Sequence, residues 1–240
     1  MRTFVTYELE QSVATITMDD GKMNVLSHGM FAELGAAFDR AGADRAVVIL
    51  RGREGAFSGG FDLRVLAAGG RDAYEMVRTG FELAERILSF PTPVVVACTG
   101  HAIAMGAFLV LSGDYRVGAL GAHRIGANEV AIGITMPHFG VEICRQRLAP
   151  AHFHRAVINA EIYRPEDAVA AGFLDRVVPA SELQDTARSV AAGLARLDVD
   201  VHAATKLRAR AHTLNAVRAA IEADEAAFRS LWSAASAATT

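Results

Sequence analysis

Two segments of this chain combine an apolar run with a glycine turn and the start of a helix. They are RGREGAFSGGFDL (residues 51–63) and GHAIAMGAFLVLSGD (residues 100–114). Glycine lets the backbone turn sharply and approach a ligand closely, and the first N–H groups of a helix have no partner within it. We predict that the N–H groups of Phe61 and Met105 form an oxyanion hole, which stabilises negative charge on a carbonyl oxygen. Each segment alone is equally compatible with an ordinary turn or a core helix.

One carboxylate, Glu129 in IGANEVAIG, follows these segments at a position suited to proton transfer. Its apolar neighbours predict partial burial, which raises the pKa of a carboxyl group toward the range of a general base. An exposed loop glutamate is the alternative. His101, His123 and His138 are further acid–base candidates, but none has the spacing of a metal site, and we expect no bound metal.

Strands and helices alternate along the first 180 residues, which predicts an α/β protein. Ser27 is predicted to cap one helix, and another is predicted from Asp72 to Phe90, ending before Pro91. Short β-branched runs predict strands at Val13–Met18, Ala46–Leu50, Pro93–Cys98, Tyr115–Ala119 and Arg176–Val178.

The end of the chain has a different character. From Glu182 onward the sequence is rich in alanine and predicts helices without a strand. Apolar residues three or four positions apart predict one stripe, which could pack within its own subunit or against a neighbouring one. The stripe consists of Leu207, Ala211, Leu214, Val217 and Ile221.

The composition is that of a protein with a large core. Of the 240 residues, 52% are hydrophobic and 21% are charged, which excludes intrinsic disorder. The net charge of −3 gives no electrostatic reason to expect a nucleic-acid partner. Cys98 and Cys144 lack a CxxC spacing and predict two buried thiols rather than a disulfide. Neither a signal peptide nor a bilayer-spanning run is visible, so we expect a soluble cytoplasmic protein with no membrane partner.

Taken together, five stretches resemble the crotonase superfamily, specifically the enoyl-CoA hydratase/isomerase family. Their order and spacing fit that family over essentially the whole chain. The stretches are MDDGKMNVLS (residues 18–27), AFSGGFDL (56–63), PTPVVVACTGHAIAMGAFLVLSGDYRV (91–117), IGANEVAIGITMP (125–137) and AVAAGFLDRVVP (168–179).

The resemblance implies a fold, a substrate and an assembly. Residues 1–181 would form a crotonase-like spiral of ββα units that binds an acyl-CoA thioester. Residues 182–240 would form an α-helical region that builds a homotrimer or a dimer of trimers. No separate cofactor is expected, because coenzyme A is part of the substrate.

The resemblance also assigns residues to roles. It implies that the N–H groups of Phe61 and Met105 bind the thioester oxygen and that Glu129 is the catalytic group. It also implies that Arg64 contacts a CoA phosphate. Further substrate contacts are implied for Lys22, Met23, Val25, Ser58, Gly60, Asp62, Leu63, Ala104, Gly106 and Pro137.

One departure from the family pattern bears on the reaction. Typical hydratases of the family use two glutamates to hold the water that they add. Glu129 matches the second, but the first would stand three residues after Met105, where this chain has Phe108. A single glutamate is the pattern of Δ3,Δ2-enoyl-CoA isomerases, which we therefore expect here. The alternatives are a hydratase with His138 or His101 as substitute, and a non-catalytic acyl-CoA-binding protein.

Overall fold

A computed structural model describes the backbone of residues 3–237 and the side chains of residues 3–228. The strands in this range are short and mostly buried. They are β1 (Val5–Glu10), β2 (Val13–Met18), β3 (Val47–Arg51), β4 (Gly55–Ser58), β5 (Val94–Cys98), β6 (Gly100–Ile103), β7 (Tyr115–Ala119), β8 (Ile125–Gly126) and β9 (Arg176–Val178).

Helices connect these strands and make up the end of the described chain. Two short 3₁₀ turns, Val130–Ile132 and Ala180–Glu182, add to them. The α-helices are α1 (His28–Ala43), α2 (Leu63–Ala68), α3 (Gly70–Ser89), α4 (Met105–Ser112), α5 (His138–Arg145), α6 (Pro150–Val157), α7 (Pro165–Ala171), α8 (Leu183–Leu194), α9 (Val199–Ala209) and α10 (Ala211–Ala237).

The strands form two sheets. The larger has the order β1-β2-β3-β5-β7-β9, in which only the β1–β2 pair is antiparallel, and the smaller has the parallel order β4-β6-β8. The chain passes from the larger sheet to the smaller one three times, as β3–β4, β5–β6 and β7–β8. The first two passes continue into α2 and α4, so the predicted spiral of ββα units is confirmed.

The five predicted strands are all present in the larger sheet, within one residue at each end. The edge strand β1 was not predicted. Its residues Glu8 and Glu10 are exposed, and a mostly solvated edge strand has little of the apolar pattern that marks a buried one. Ser27 caps α1 as predicted, because its side chain accepts a hydrogen bond from the N–H of Met30.

Both faces of the larger sheet are covered. Alternate residues of a strand point to opposite faces, so Val48 and Leu50 of β3 enter the main core while Val47 and Ile49 pack beneath α8. Helix α4 lies within the main core, and all eight of its residues are buried. Its start is thereby held at depth, where α4 packs against the small sheet, α3 and α5.

The prediction that the apolar residues near the end of the chain form a single stripe is wrong. The helix is interrupted at Arg210 between α9 and α10, and Leu207 is 47% exposed. Leu214, Val217 and Ile221 instead belong to the main core of their own subunit, where α10 packs against α3 and α5.

The junction between α9 and α10 is held by a half-buried carboxylate. Asp114 Oδ2 lies 2.6 Å from Lys206 Nζ, and Asp114 Oδ1 lies 3.0 Å from Arg210 Nη2. The same carboxylate accepts the N–H of Val94 at the start of β5. Burial lowers the pKa of Lys206 to about 8.

The domain boundary predicted between residues 181 and 182 falls inside the 3₁₀ turn Ala180–Glu182, just before α8. The predicted C-terminal region also includes residues 238–240, which lie outside the described range. Among the helices described, none is both long and apolar enough to cross a membrane.

Candidate active site

The first glycine turn, Ser58–Gly60, follows β4 and is held by buried polar side chains. Asn24 Nδ2 donates to the carbonyls of Ala56 and Phe57, both at 3.1 Å. Ser58 Oγ donates to Asn24 O at 2.8 Å and accepts the N–H of Gly60 at 3.1 Å. Gly60 has a φ of +91°, which side-chain-bearing residues rarely adopt. These bonds fix the backbone that leads to Phe61.

The N–H of Phe61 is directed by a parallel bridge between Phe61 and Leu26. Leu26 N donates to Gly60 O at 2.9 Å, and Asp62 N donates to Leu26 O at 3.3 Å. Leu26 makes both of these bonds, with the residues on either side of Phe61. The N–H of Phe61 itself therefore points away from Leu26. Asp62 then caps α2, because its side chain accepts the N–H of Arg64.

The second turn joins β6 to α4 through a strained residue. Ala104 has φ 52° and ψ −124°, a conformation that costs free energy for a residue with a side chain. It places Met105 at the first position of α4, where an N–H lacks an intrahelical acceptor. A Cβ added to Gly60 would lie 3.6 Å from Met105 N and 3.0 Å from Ile103 O. The two predicted turns are therefore in direct contact.

Close packing of glycine brings the two turns together at a second point. A Cβ added to Gly106 would lie 2.4 Å from Ser58 O, a separation that no side chain tolerates. Glycine at position 106 therefore lets the first turn of α4 lie directly against the end of β4. The two N–H groups predicted as oxyanion donors belong to backbone segments that touch each other.

Glu129 directly precedes the 3₁₀ turn Val130–Ile132 and is 7% exposed. Its Oε2 atom is buried and has no hydrogen-bond partner among the described residues. Burial raises the pKa of Glu129 to about 7. The sequence predicted that this pKa is raised. Glu129 follows a segment that is tied to the second turn, because Ala104 N donates to the carbonyl of Gly126, three residues before Glu129.

This pKa predicts how the rate depends on pH. A general base must be ionised to accept a proton, so kcat/KM should rise about tenfold per pH unit below the pKa of Glu129 and level off above about 7. Steady-state rates at saturating and limiting substrate between pH 5 and 9 would test this. A flat profile would show that Glu129 does not titrate in the free enzyme.

Phe108 stands at the position for which the sequence resemblance implies the other glutamate of a hydratase. It is 1% exposed, and its ring packs edge-on against Phe139 with centroids 5.9 Å apart. Phe139 stacks on Phe81 at 4.1 Å, and Phe81 packs against Phe61 at 6.1 Å. The rings form an apolar wall from α4 to the first turn, and none of them can orient a water molecule.

The histidines named as substitutes for the missing glutamate have other surroundings. His138 is exposed, and its backbone N–H donates to Asp224 Oδ1 at 2.8 Å at the start of α5. His101 Nδ1 accepts the N–H of Arg124 at 3.1 Å. Among the described residues, no group of three or more His, Cys, Asp or Glu side chains could hold a metal ion.

The residues predicted to contact substrate fall into two groups. Ser58, Gly60, Ala104 and Gly106 build the two turns themselves, and the hydroxyl of Ser58 is fully used in holding the first turn. The others surround the turns with varied exposure: Lys22, Met23, Leu63 and Arg64 are exposed, Val25 and Pro137 are half-buried, and Asp62 is buried.

Sequence reasoning missed residues that shape the site from a distance. Asn24 lies within a stretch quoted for the family resemblance, but its role in holding the first turn depends on contacts 32 and 33 residues away. Asp224 of α10 accepts the N–H groups of His138 and Phe139 and so fixes the start of α5. No local signal in the sequence indicates either contact.

Comparison with known proteins agrees with this fold. A model of the enoyl-CoA hydratase/isomerase family matches residues 8–239. A Pseudomonas syringae protein of that family is 49% identical, with 92% of this chain and 96% of that chain covered and a TM-score of 0.91. A solved enoyl-CoA isomerase from Mycobacterium tuberculosis is 46% identical, with 94% and 99% covered and a TM-score of 0.90. The probable enoyl-CoA hydratase of Rhodobacter capsulatus is 32% identical over 204 residues, which are 84% of this chain and 79% of that protein.

The spiral of ββα units with a helical C-terminal region defines a protein of the crotonase superfamily. The chain belongs to the enoyl-CoA hydratase/isomerase family and is an enzyme of that family. Its relatives carry the names of both hydratases and isomerases, so the reaction must be argued from the site.

Proposed function

We propose that this enzyme is an enoyl-CoA isomerase that moves a double bond from position 3 to position 2 of an acyl-CoA thioester. The observation that carries the proposal is the contrast between two positions. Glu129 is buried with a free carboxylate oxygen, whereas Phe108 is locked in an aromatic wall. One base is sufficient for a proton shift, whereas water addition in this family uses two carboxylates.

The reaction needs a polarised carbonyl and one proton carrier. The N–H groups of Phe61 and Met105 would donate hydrogen bonds to the thioester oxygen and stabilise its negative charge as a proton leaves C2. The Glu129 carboxylate takes that proton, and the electron pair of the C2–H bond moves into a dienolate. The protonated Glu129 then gives the proton to C4, which leaves the double bond between C2 and C3. Atoms and charge balance without water or cofactor.

The buried position of Glu129 supports this role energetically. A carboxyl group with a pKa of about 7 accepts and returns a proton at neutral pH with little loss at either step. The apolar wall of Phe108, Phe139 and Phe81 would also keep water away from the dienolate. The Mycobacterium tuberculosis relative carries two names, enoyl-CoA isomerase and probable enoyl-CoA hydratase, and the first agrees with the proposal.

Product analysis tests the proposal directly. The purified enzyme would be incubated separately with a 3-enoyl-CoA and with a 2-trans-enoyl-CoA, and the products identified by mass spectrometry and ultraviolet absorbance. We expect a shifted double bond from the first substrate and little hydroxyacyl-CoA from the second. Rapid hydration would indicate the hydratase alternative, and no reaction with either would indicate a protein that only binds acyl-CoA.

We also propose that the enzyme forms trimers or multiples of three, as the family resemblance implies. Burial of Leu214, Val217 and Ile221 within their own subunit removes the apolar stripe as an argument for this assembly. The exposed apolar residues Val201 and Leu207 of α9 are left as candidate contacts. Multi-angle light scattering at micromolar concentration should give about three times the mass of 25.5 kDa or a multiple of that value, and a monomer would contradict the proposal.

A further inference from the structure

A cavity beneath α8 lies on the face of the larger sheet that is turned away from the main core. Its volume is about 390 Å³, which is within the range of small-molecule sites. Ile49 and Ala97 line it from β3 and β5. Their neighbours Leu50 and Val96 point the other way, into the main core that also contains Phe108. The larger sheet therefore separates this cavity from the aromatic wall of the candidate active site.

Small side chains create this space between the sheet and α8. Near the amino ends of the strands, Val47 and Val95 pack in the layer beneath the helix. Near the carboxyl ends, Ala97 and Ala119 of the sheet and Ala187 of α8 line the cavity instead. Ligands of open parallel sheets commonly bind outside the carboxyl ends of the strands. The cavity thus lies where this kind of sheet favours a ligand.

Arg51 adds a positive charge to the apolar floor of the cavity. It pairs in register with Ala97 on the neighbouring strand and is half-buried. Its Nη1 atom donates to the neutral Gln184 Oε1 at 2.8 Å, and Arg51 enters none of the ion pairs among the described residues. The lining residues, all of them described, include one carboxylate, Glu54, which is exposed. The charge of Arg51 is therefore not neutralised within the fold.

Two further groups make the cavity favourable for an anion. Arg188 also lines it, and its Nη2 atom lies 3.7 Å from Glu10 in a pair whose side chains are both exposed. Helix α8 begins at Leu183, which lines the cavity, and no side chain caps its first N–H groups. The positive end of a helix dipole attracts negative charge. Glu182 and Asp185 near this end are exposed and do not line the cavity.

We propose that this cavity is a second ligand site, which binds a small carboxylate with an apolar chain, such as a free fatty acid. The carboxylate takes the place of Gln184 at the Arg51 guanidinium, through the paired charge-assisted hydrogen bonds that arginine forms with this group. The chain packs over Ile49, Ala97 and Ala119. One guanidinium beside an apolar floor matches a single negative charge and a chain. The site uses none of the groups of the proposed proton transfer.

Calorimetric titration with sodium octanoate tests this site. The active site is first saturated with hexanoyl-CoA, which has no double bond to shift. We expect one octanoate to bind per chain, and Arg51→Gln should raise its Kd about tenfold, the loss expected for a charge-assisted contact. Arg176→Gln, which removes an exposed cation on β9, should leave the Kd unchanged. An absence of binding, or an unchanged Kd in Arg51→Gln, would overturn the proposal.

Two controls separate the role of the charge from an effect on folding. Arg51→Lys keeps the charge and should recover part of the affinity that Arg51→Gln loses. Titration with 1-octanol, which has the same chain without the carboxylate, should give weak binding that is equal in the wild type and in Arg51→Gln. If 1-octanol binds the wild type as tightly as octanoate does, Arg51 does not recognise a carboxylate and the proposal is wrong.

Nuclear magnetic resonance of alanine methyl groups locates the bound octanoate. The signals of Ala97, Ala119 and Ala187 should shift on binding, whereas that of Ala127, two residues before Glu129, should not. A shift at Ala127 without shifts at the three cavity alanines would place octanoate in the active site and would refute the second site. Neither measurement requires turnover, so a failure of the proposed isomerisation would leave this test intact.

Discussion

Replacing Glu129 with glutamine is expected to lower kcat for isomerisation by about 10²–10⁴, the usual contribution of a general base. The amide has nearly the same shape but cannot accept the C2 proton, so affinity for acyl-CoA should hardly change. Steady-state rates with a 3-enoyl-CoA and calorimetric titration with a substrate analogue would measure the two effects. Retention of more than half the activity would mean that another group is the base.

The same substitution should make the folded enzyme more stable at neutral to alkaline pH. The pKa of Glu129 is about 7 in the fold against an ordinary 4.5, so the folded state binds more protons between these values. The contribution of Glu129 to the free energy of unfolding is therefore fully present below pH 4.5 and is lost as the pH rises through 7. Glutamine does not ionise and avoids a cost of about 3 kcal/mol.

A rise in Tm at pH 8 but not at pH 4 would confirm this sign and would show that lost activity is not lost folding. Glu222→Gln is the matched control, because Glu222 is exposed on α10. That variant should leave both the rate and the pH dependence of Tm unchanged. An inactive Glu129→Gln variant with a lowered Tm at pH 8 would contradict the account of Glu129 as a desolvated base.

The elements that carry the site were largely predictable because their signals are local. Ser27 and Asp62 stand at helix starts that their side chains cap, and the apolar run after Met105 marks a helix buried on all sides. The burial of Glu129 was predictable because its apolar neighbours stand beside it in the chain. Such local signals indicate whether each segment is a helix, a strand or a turn, and whether it is buried.

The contacts that join these segments were not predictable, since they depend on distant residues. The positive φ of Ala104 accompanies a hydrogen bond to Gly126 and packing against Gly60, and an alanine in sequence gives no sign of it. The apolar spacing from Leu207 to Ile221 suggested one stripe, but the helix is interrupted at Arg210, which pairs with the Asp114 carboxylate, 96 residues earlier. Long-range polar contacts of this kind decide which surface is buried.

Replacing Phe108 with glutamate tests why this enzyme would not hydrate its substrate. The introduced carboxylate would stand at the position for which the sequence resemblance implies the first of the two glutamates of a hydratase. We expect hydration of a 2-trans-enoyl-CoA to rise relative to isomerisation, measured as hydroxyacyl-CoA formed per double bond shifted. The variant should also lose about 3–5 kcal/mol of stability, because it removes a buried aromatic ring and buries a carboxyl group.

The loss of stability makes a folding control necessary, and the chain offers one at the same position. Phe108→Leu removes the ring contact with Phe139 without adding a polar group, so it should destabilise the fold less and gain no hydration. Rates would be compared only for the folded fraction, measured by circular dichroism at the assay temperature. If the wild type already hydrates a 2-trans-enoyl-CoA as fast as it isomerises a 3-enoyl-CoA, Phe108 is not what limits water addition. The exposed His138 would then be the first side chain to replace, since it stands at the start of the helix that carries Phe139.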